Sequence, residues 1–121
     1  MIPRSWLYVP ADDAQRLAKA ATRGADALIV DLEDGVAPSA KPVARDNLRE
    51  FLEGAPAQPS VWVRVTSDSE GLELDLAACL HPSLAGIVLA KAEDPAQVGD
   101  VVARLHELPG EARGMMPLIE T

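Results

Sequence analysis

The sequence predicts an α/β protein built on a parallel sheet, because short apolar runs alternate with stretches of helix-forming residues. Five predicted strands are each separated from the next by a helical stretch. Such strict alternation indicates parallel strands joined by right-handed crossovers. The spacing suits successive units of a (β/α) barrel of about 250 residues. A doubly wound open sheet fits the alternation equally well.

The first two predicted strands enclose a helix. The first strand, residues 6–9, ends at Pro10 because proline lacks the N–H group that a strand ladder needs. Residues 11–23 are rich in helix formers, open with acidic side chains, close with a basic one and stop at Gly24. Residues 27–30 are apolar without alternation, which indicates a strand covered on both faces.

Prolines and glycines also delimit the later elements. Pro38 and Pro42 mark the start of a second helix near residues 43–53, which ends at Gly54. The remaining strands are predicted at 61–65, 85–89 and 115–119, and the remaining helices at 71–80 and from Pro95 onward. The candidate core residues of the third helix are Leu72, Leu74, Leu76 and Leu80. No Gly-x-Gly-x-x-Gly follows the first strand, which weighs against a dinucleotide-binding sheet.

Composition narrows the classes of function. With 121 residues, 48% of them apolar, the chain is expected to form a single domain over residues 1–121. A net charge of −8 and 3% aromatic residues argue against a nucleic-acid partner, whereas an anionic small molecule needs only one or two local arginines. The sequence predicts neither a membrane helix nor a signal peptide, so we expect a cytoplasmic location and no membrane partner. Cys79 lies in an apolar stretch and is expected to fill the core.

Charged side chains collect where the predicted strands end. Asp31, Glu33 and Asp34 follow the second strand, and three such acids repel one another unless cations or hydrogen-bond donors compensate them. Arg64 lies among valines in the third strand, where a buried guanidinium needs a partner. Two roles are open for Arg64 and compatible with each other: a salt bridge to Asp31 or Glu33, and a fork that binds a substrate carboxylate.

The last two predicted strands are also followed by charged residues. Lys91 and Glu93 follow the fourth strand, and Glu120 follows the fifth. Mg²⁺ is bound by one or two carboxylates together with substrate oxygens and water, so Glu120 is a candidate metal ligand as well as a candidate surface residue. Lys91 is a candidate for neutralising the acids. A barrel would bring all these strand ends into one ring.

Five segments, taken together and in order, resemble the citrate lyase β-subunit family of the HpcH/HpaI aldolase and malyl-CoA lyase superfamily. They are Arg-Ser-Trp-Leu-Tyr-Val-Pro-Ala-Asp, Gly-Ala-Asp-Ala-Leu-Ile-Val-Asp-Leu-Glu-Asp-Gly-Val-Ala-Pro with Lys41 and Ala44-Arg45 downstream, Val-Arg-Val, Leu-Ala-Lys-Ala-Glu, and Pro-Leu-Ile-Glu-Thr. The resemblance implies a TIM-type (β/α) barrel, of which this chain supplies about the first four and a half βα units. It also implies a homotrimer or a multiple of it. The implied activity is Mg²⁺-dependent cleavage or formation of carbon–carbon bonds in acyl-CoA thioesters.

The resemblance also assigns roles to residues. Arg64 matches the family arginine that binds the substrate carboxylate or carbonyl. Glu120 matches the first metal-ligating acid, which makes it a candidate catalytic and substrate-binding residue as well, with the second metal ligand expected beyond Thr121. Asp31, Glu33 and Asp34 match an acidic motif that supports the site. The strand-four motif is matched by Lys91, a substrate-binding candidate, and by Glu93. Ala90 and Thr66 stand where the family often has proline and asparagine, and we expect these departures to tune the site.

Length is the larger departure, because members of the resembled family run to about twice this chain, as a complete barrel requires. We therefore expect a fragment, a truncated gene product or the ordered part of a longer protein. Two further functions stay open beside the CoA-thioester lyase. One is an aldolase acting on free 2-oxo acids and aldehydes, and the other is a non-catalytic assembly subunit.

Overall fold

The computed structural model describes residues 4–54, 59–66, 69–89, 95–107 and 114–117. Within these ranges five strands and four α-helices alternate along the chain, as the sequence predicts. The strands are β1 (Trp6–Pro10), β2 (Ala27–Asp31), β3 (Ser60–Val65), β4 (Leu84–Leu89) and β5 (Gly114–Pro117). The helices are α1 (Ala14–Ala20), α2 (Lys41–Glu53), α3 (Ser69–Cys79) and α4 (Pro95–His106), and a 3₁₀ turn (Pro38–Ala40) precedes α2.

The five strands form one parallel sheet in the order β1-β2-β3-β4-β5. Each strand pairs with the one before it, so strand order does not reverse within the described sheet. A doubly wound sheet has such a reversal at its switch point, whereas successive strands of a (β/α) barrel do not. The observed order therefore agrees with the barrel interpretation over these strands, and closure into a barrel stays a prediction.

The two faces of the sheet differ in what covers them. Val9, Val30 and Val63 are register partners on one face, where they join a buried core with leucines of the helices. The opposite face, which we call the open face, carries Tyr8 and Trp62, each a register partner of the buried Ile29 on the strand between them. Tyr8 is 48% exposed, although tyrosine is a strand-forming residue with a large apolar ring. The open face is therefore the side of the sheet on which a ligand has room.

Local side-chain chemistry explains where the first two helices begin. The predicted helix at 11–23 begins only at Ala14, because the side chain of Asp13 accepts hydrogen bonds from the N–H groups of Gln15 and Arg16 and so caps the helix. The helix predicted near 43–53 starts earlier, at Lys41, with Pro42 in its first turn, where a missing N–H costs nothing. Pro10 is the last residue of β1 rather than the residue after it.

The core agrees with the prediction at most of the positions named from the sequence. Cys79 is buried, as a core filler should be, and burial raises the pKa of its thiol. Leu72 and Leu76 are buried, but the prediction for Leu74 was wrong because this side chain is 49% exposed. In a helix, residues four apart share a face and residues two apart do not, which turns Leu74 away from the core. No helix in the described ranges has both the length and the hydropathy to cross a membrane.

Candidate functional site

The carboxyl ends of β1, β2 and β3 lie side by side, and they carry the polar groups that the sequence singled out. Pro10, Asp31 and Arg64 are register partners across the three strands. Register partners in parallel strands point to the same face, so the Asp31 carboxylate and the Arg64 guanidinium meet on the open face. The salt bridge to Asp31, one of the roles expected for Arg64, is confirmed.

Asp31 is buried, with 4% of its surface exposed, and its carboxylate accepts four hydrogen bonds. Oδ1 accepts from the Glu33 N–H at 2.9 Å and from Arg64 Nε at 2.8 Å. Oδ2 accepts from the Gly35 N–H at 2.8 Å and from Arg64 Nη2 at 2.6 Å. Burial acts to raise the pKa of Asp31, but these donors outweigh burial and hold the pKa below its usual value. Asp31 is therefore an ionised anchor for the arginine and for its own loop.

Arg64 is held on one edge and backed by an aromatic ring. Its paired bonds to Asp31 raise the pKa of its guanidinium, so it is cationic at any physiological pH. Glu33 Oε1 lies 3.8 Å from Nε and adds a second negative charge. The guanidinium carbon lies over the ring of Tyr8, 5.3 Å from the ring centroid. Asp31 uses two of the five N–H groups of the guanidinium, which leaves three for other partners.

Glu33 and Asp34 differ from Asp31 in their surroundings. The side chain of Glu33 is nearly buried, and burial together with the neighbouring Asp34 carboxyl raises its pKa. Asp34 is exposed. The three acids that the sequence grouped together thus have different roles: Asp31 is the direct partner of Arg64, Glu33 adds a more distant charge, and Asp34 faces solvent.

Two residues not assigned a role from the sequence shape this acidic loop. A Cβ atom built on Gly35 would overlap Oδ2 of Asp31, so only glycine lets the loop N–H reach the carboxylate. The Lys41 ammonium donates to the carbonyl oxygens of Leu32, at 2.5 Å, and of Glu33, at 3.2 Å. Lys41 therefore compensates part of the acidic loop from the helix side. A glycine directly after clustered acids was the sequence signal for the first of these contacts.

A second aspartate–arginine pair lies beside the same strand end and was missed by the sequence analysis. Asp75, fully buried on α3, accepts from Arg45 Nε of α2 at 2.8 Å. Its other oxygen accepts from the backbone N–H of Thr66, the residue after β3, at 3.1 Å. Asp75 thus connects α2, α3 and the carboxyl end of β3. An aspartate with a leucine on either side, Leu74 and Leu76, was the available signal.

An open cleft of about 470 Å³ lies beside the Asp31–Arg64 pair. Its lining residues are Tyr8, Val9, Pro10, Asp31, Asp34, Gly35 and Arg64. The cleft thus lies at the carboxyl ends of parallel strands, where ligands bind in α/β folds. A cation fixed by a buried carboxylate at such a place suits the recognition of an anionic small molecule.

Comparison with known proteins identifies a family and several relatives of this chain. Residues 4–121 match the family described as HpcH/HpaI aldolase/citrate lyase. The chain belongs to this family. A citrate lyase subunit beta-like protein from Mycobacterium tuberculosis is 41% identical over 101 residues, which cover 82% of this chain and 35% of that protein. The human mitochondrial citramalyl-CoA lyase is 35% identical over 99 residues, which cover 78% of this chain and 29% of that enzyme.

Solved structures extend the comparison with the HpcH/HpaI aldolase/citrate lyase family to three dimensions. The crystal structure of CitE from Mycobacterium tuberculosis in complex with magnesium, acetoacetate and coenzyme A matches with a TM-score of 0.64 and 36% identity. The match covers 96% of this chain and 39% of that one. This chain therefore spans about a third of the length of the curated relatives. Its fold is shared with the corresponding part of the longer CitE chain.

Several predicted site residues of this family member lie outside the described residues. They are Lys91, Glu93 and Glu120, together with Ala90 and Thr121. Among the residues that the structure describes, no three His, Cys, Asp or Glu side chains are arranged to hold a metal ion. Asp31 fits a metal poorly because four donors already occupy its two oxygens. The described part of the site is an arginine clamp with an acidic rim.

Proposed function

We propose that the protein is a Mg²⁺-dependent carbon–carbon lyase or aldolase that acts on acyl-CoA thioesters of the malyl-CoA or citramalyl-CoA type. The observation that carries this proposal is the Asp31-anchored guanidinium of Arg64 in the cleft at the carboxyl end of the sheet. Family membership supports the reaction class, and the name of the citramalyl-CoA lyase supports the substrate class. In the whole protein we expect a closed (β/α) barrel, of which the single domain at residues 1–121 forms the N-terminal part.

Arg64 is the proposed substrate-binding and catalytic residue. Its remaining N–H groups suit a carboxylate or a pair of carbonyl oxygens, because the planar fork binds such groups through two parallel hydrogen bonds. The same donors would stabilise the negative charge that develops on an enolate oxygen when the carbon–carbon bond breaks. Asp31 holds the guanidinium in place before the substrate arrives, so the charge is stabilised without reorienting the side chain.

Glu120 is the proposed metal ligand, with a second carboxylate ligand beyond Thr121 and with Lys91 as a further substrate-binding group. Among the described residues, the exposed carboxylate of Asp34 lines the cleft and adds negative charge that favours a nearby cation. When bound, Mg²⁺ supplies a Lewis acid that polarises a substrate oxygen. Arg64 acts independently of it, by holding the anionic end of the substrate.

The test is to assay the whole protein for cleavage of malyl-CoA and citramalyl-CoA, with and without Mg²⁺. Arg64→Ala is expected to lower kcat/KM by a factor of about 100 or more, the usual effect of losing a donor to a developing oxyanion. Glu120→Gln should reduce activity and its dependence on Mg²⁺. The matched control is Arg49→Ala, because among the described residues Arg49 pairs with Asp46 on the exposed surface of α2, away from the cleft. Full activity of either site variant would remove that residue from the mechanism.

A second candidate is an aldolase that uses a free 2-oxo acid and an aldehyde. It is favoured by the same arginine, because a guanidinium recognises the carboxylate of a free 2-oxo acid as readily as the remaining carboxylate of an acyl-CoA thioester. Competition by coenzyme A separates the two reactions: a thioester lyase should be inhibited, and a free-acid aldolase should not.

The non-catalytic assembly subunit is tested by calorimetry, since tight Mg²⁺ binding contradicts it. Native mass spectrometry checks the expected homotrimer.

A further inference from the structure

The exposed ring of Tyr8 has a specific position relative to the arginine clamp. Tyr8 lies on β1, two residues before Pro10, and therefore shares a face of the sheet with Pro10 and its register partners Asp31 and Arg64. The ring lines the cleft, and the guanidinium carbon of Arg64 lies over it at 5.3 Å from the centroid.

The contacts of Arg64 restrict its guanidinium in two different directions. Its two bonds to Asp31 fix one edge and so limit rotation within the guanidinium plane. The guanidinium carbon lies over the Tyr8 ring, and the attraction of a cation to the face of an aromatic ring favours this position of the side chain. With the Nε and Nη2 edge bonded to Asp31 and the guanidinium carbon over the ring, the outer edge is the part that suits a planar carboxylate.

We propose that Tyr8 is a positioning residue that orients the Arg64 guanidinium for a substrate carboxylate. This inference rests on the proposed role of Arg64 and adds to it a residue on a different strand. The ring carries the effect, because it is the ring that lies beneath the guanidinium. Substituting the ring should therefore weaken carboxylate binding, whereas removing the phenolic hydroxyl should not.

The experiment compares Tyr8→Leu with Tyr8→Phe in the whole protein, with pyruvate as the carboxylate probe and Mg²⁺ present throughout. Tyr8→Leu is expected to raise the Kd for pyruvate by more than 2-fold and up to about 30-fold, the range that cation–π contacts supply from exposed to desolvated sites. Tyr8→Phe should stay within about 2-fold of the unsubstituted protein. Calorimetry measures the affinities, and turnover of the thioester should show the same loss mainly in KM.

Two comparisons make the result specific. Leu74→Ala alters a side chain of similar exposure on α3, away from the cleft, and should leave the Kd for pyruvate unchanged. Arg64→Gln tests the clamp itself. If Arg64→Gln loses pyruvate binding while Tyr8→Leu keeps it within 2-fold, the inference about Tyr8 is wrong and the clamp stands. If Arg64→Gln also keeps its affinity, the proposed role of Arg64 is wrong. Equal losses in Tyr8→Phe and Tyr8→Leu would assign the effect to the hydroxyl and overturn the inference.

Discussion

The two aspartate–arginine pairs beside the carboxyl end of β3 use the same chemistry in different places. In each pair a buried aspartate bonds one arginine and at least one backbone N–H of a neighbouring loop. Asp31 presents Arg64 to the open cleft, whereas Asp75 holds Arg45 between α2 and α3. The comparison teaches that an arginine becomes a candidate binding group through its position over a cleft, because pairing to a buried carboxylate is common to both.

The largest expected effect comes from breaking the pair in the cleft. Asp31→Asn should lower the free energy of unfolding by about 3 kcal/mol, because it leaves the arginine without its charge partner and places an amide donor against other donors. It should also abolish pyruvate binding through Arg64. Urea denaturation and calorimetry measure the two effects. A loss below about 1 kcal/mol would show that the four bonds to Asp31 are replaceable.

Breaking the other pair should cost less and should leave binding intact. Asp75→Asn is expected to lower the free energy of unfolding by about 2 kcal/mol, because the amide oxygen can still accept from the Thr66 N–H and only one arginine bond is lost. The Kd for pyruvate of the folded protein should change by less than about 2-fold. A binding loss as large as that of Asp31→Asn would contradict the distinction between the two pairs.

A third change stresses the cleft pair without removing either partner. In Gly35→Ala the new methyl group overlaps Oδ2 of Asp31, so the carboxylate must move, at a cost of about 1–2 kcal/mol in the free energy of unfolding. The control is Gly99→Ala on α4, where a Cβ meets nothing within 4 Å and should stabilise the helix by about 0.5–1 kcal/mol. Thermal denaturation should show a lower Tm for Gly35→Ala and a higher Tm for Gly99→Ala. Shifts of Tm in the same direction would contradict the expectation.

The smallest effect is a difference in pH dependence within the acidic loop. The lowered pKa of Asp31 gives stability that is present above its ordinary pKa of 3.8 and lost as the pH falls through the folded-state value. The raised pKa of Glu33 has the opposite sign: its contribution is present below 4.5 and lost as the pH rises through its folded-state value. Glu33→Gln should therefore match the unsubstituted protein at acid pH and exceed it in stability above that range. Unfolding measured across pH checks this, and identical curves would contradict it.

Sequence reasoning reached the fold further than the site. The alternation of elements and the apolar strands were enough to predict the parallel sheet, because they depend on local pattern. The pairing of Arg64 with Asp31 was among the expected roles, since Asp31 comes at the end of the second strand and Arg64 lies near the end of the third. The core assignment of Leu74 was wrong because Leu72, Leu74 and Leu76 cannot all share one face of a helix, in which residues two apart point in different directions. The roles of Lys41 and Asp75 depend on how helices are rotated against the sheet, which local pattern does not fix.

The four hydrogen bonds to Asp31 have a consequence for measurement. Because the carboxylate binds the Arg64 guanidinium and the N–H groups of Glu33 and Gly35 together, we expect the two amide hydrogens and the clamp to open and close as one unit. Deuterium exchange at those two amides should therefore report on the state of the arginine, since both amides donate to the same carboxylate. A bound ligand whose carboxylate tightens the clamp should slow deuterium exchange at both amides. The effect should be measurable even in a variant whose turnover is too slow to detect.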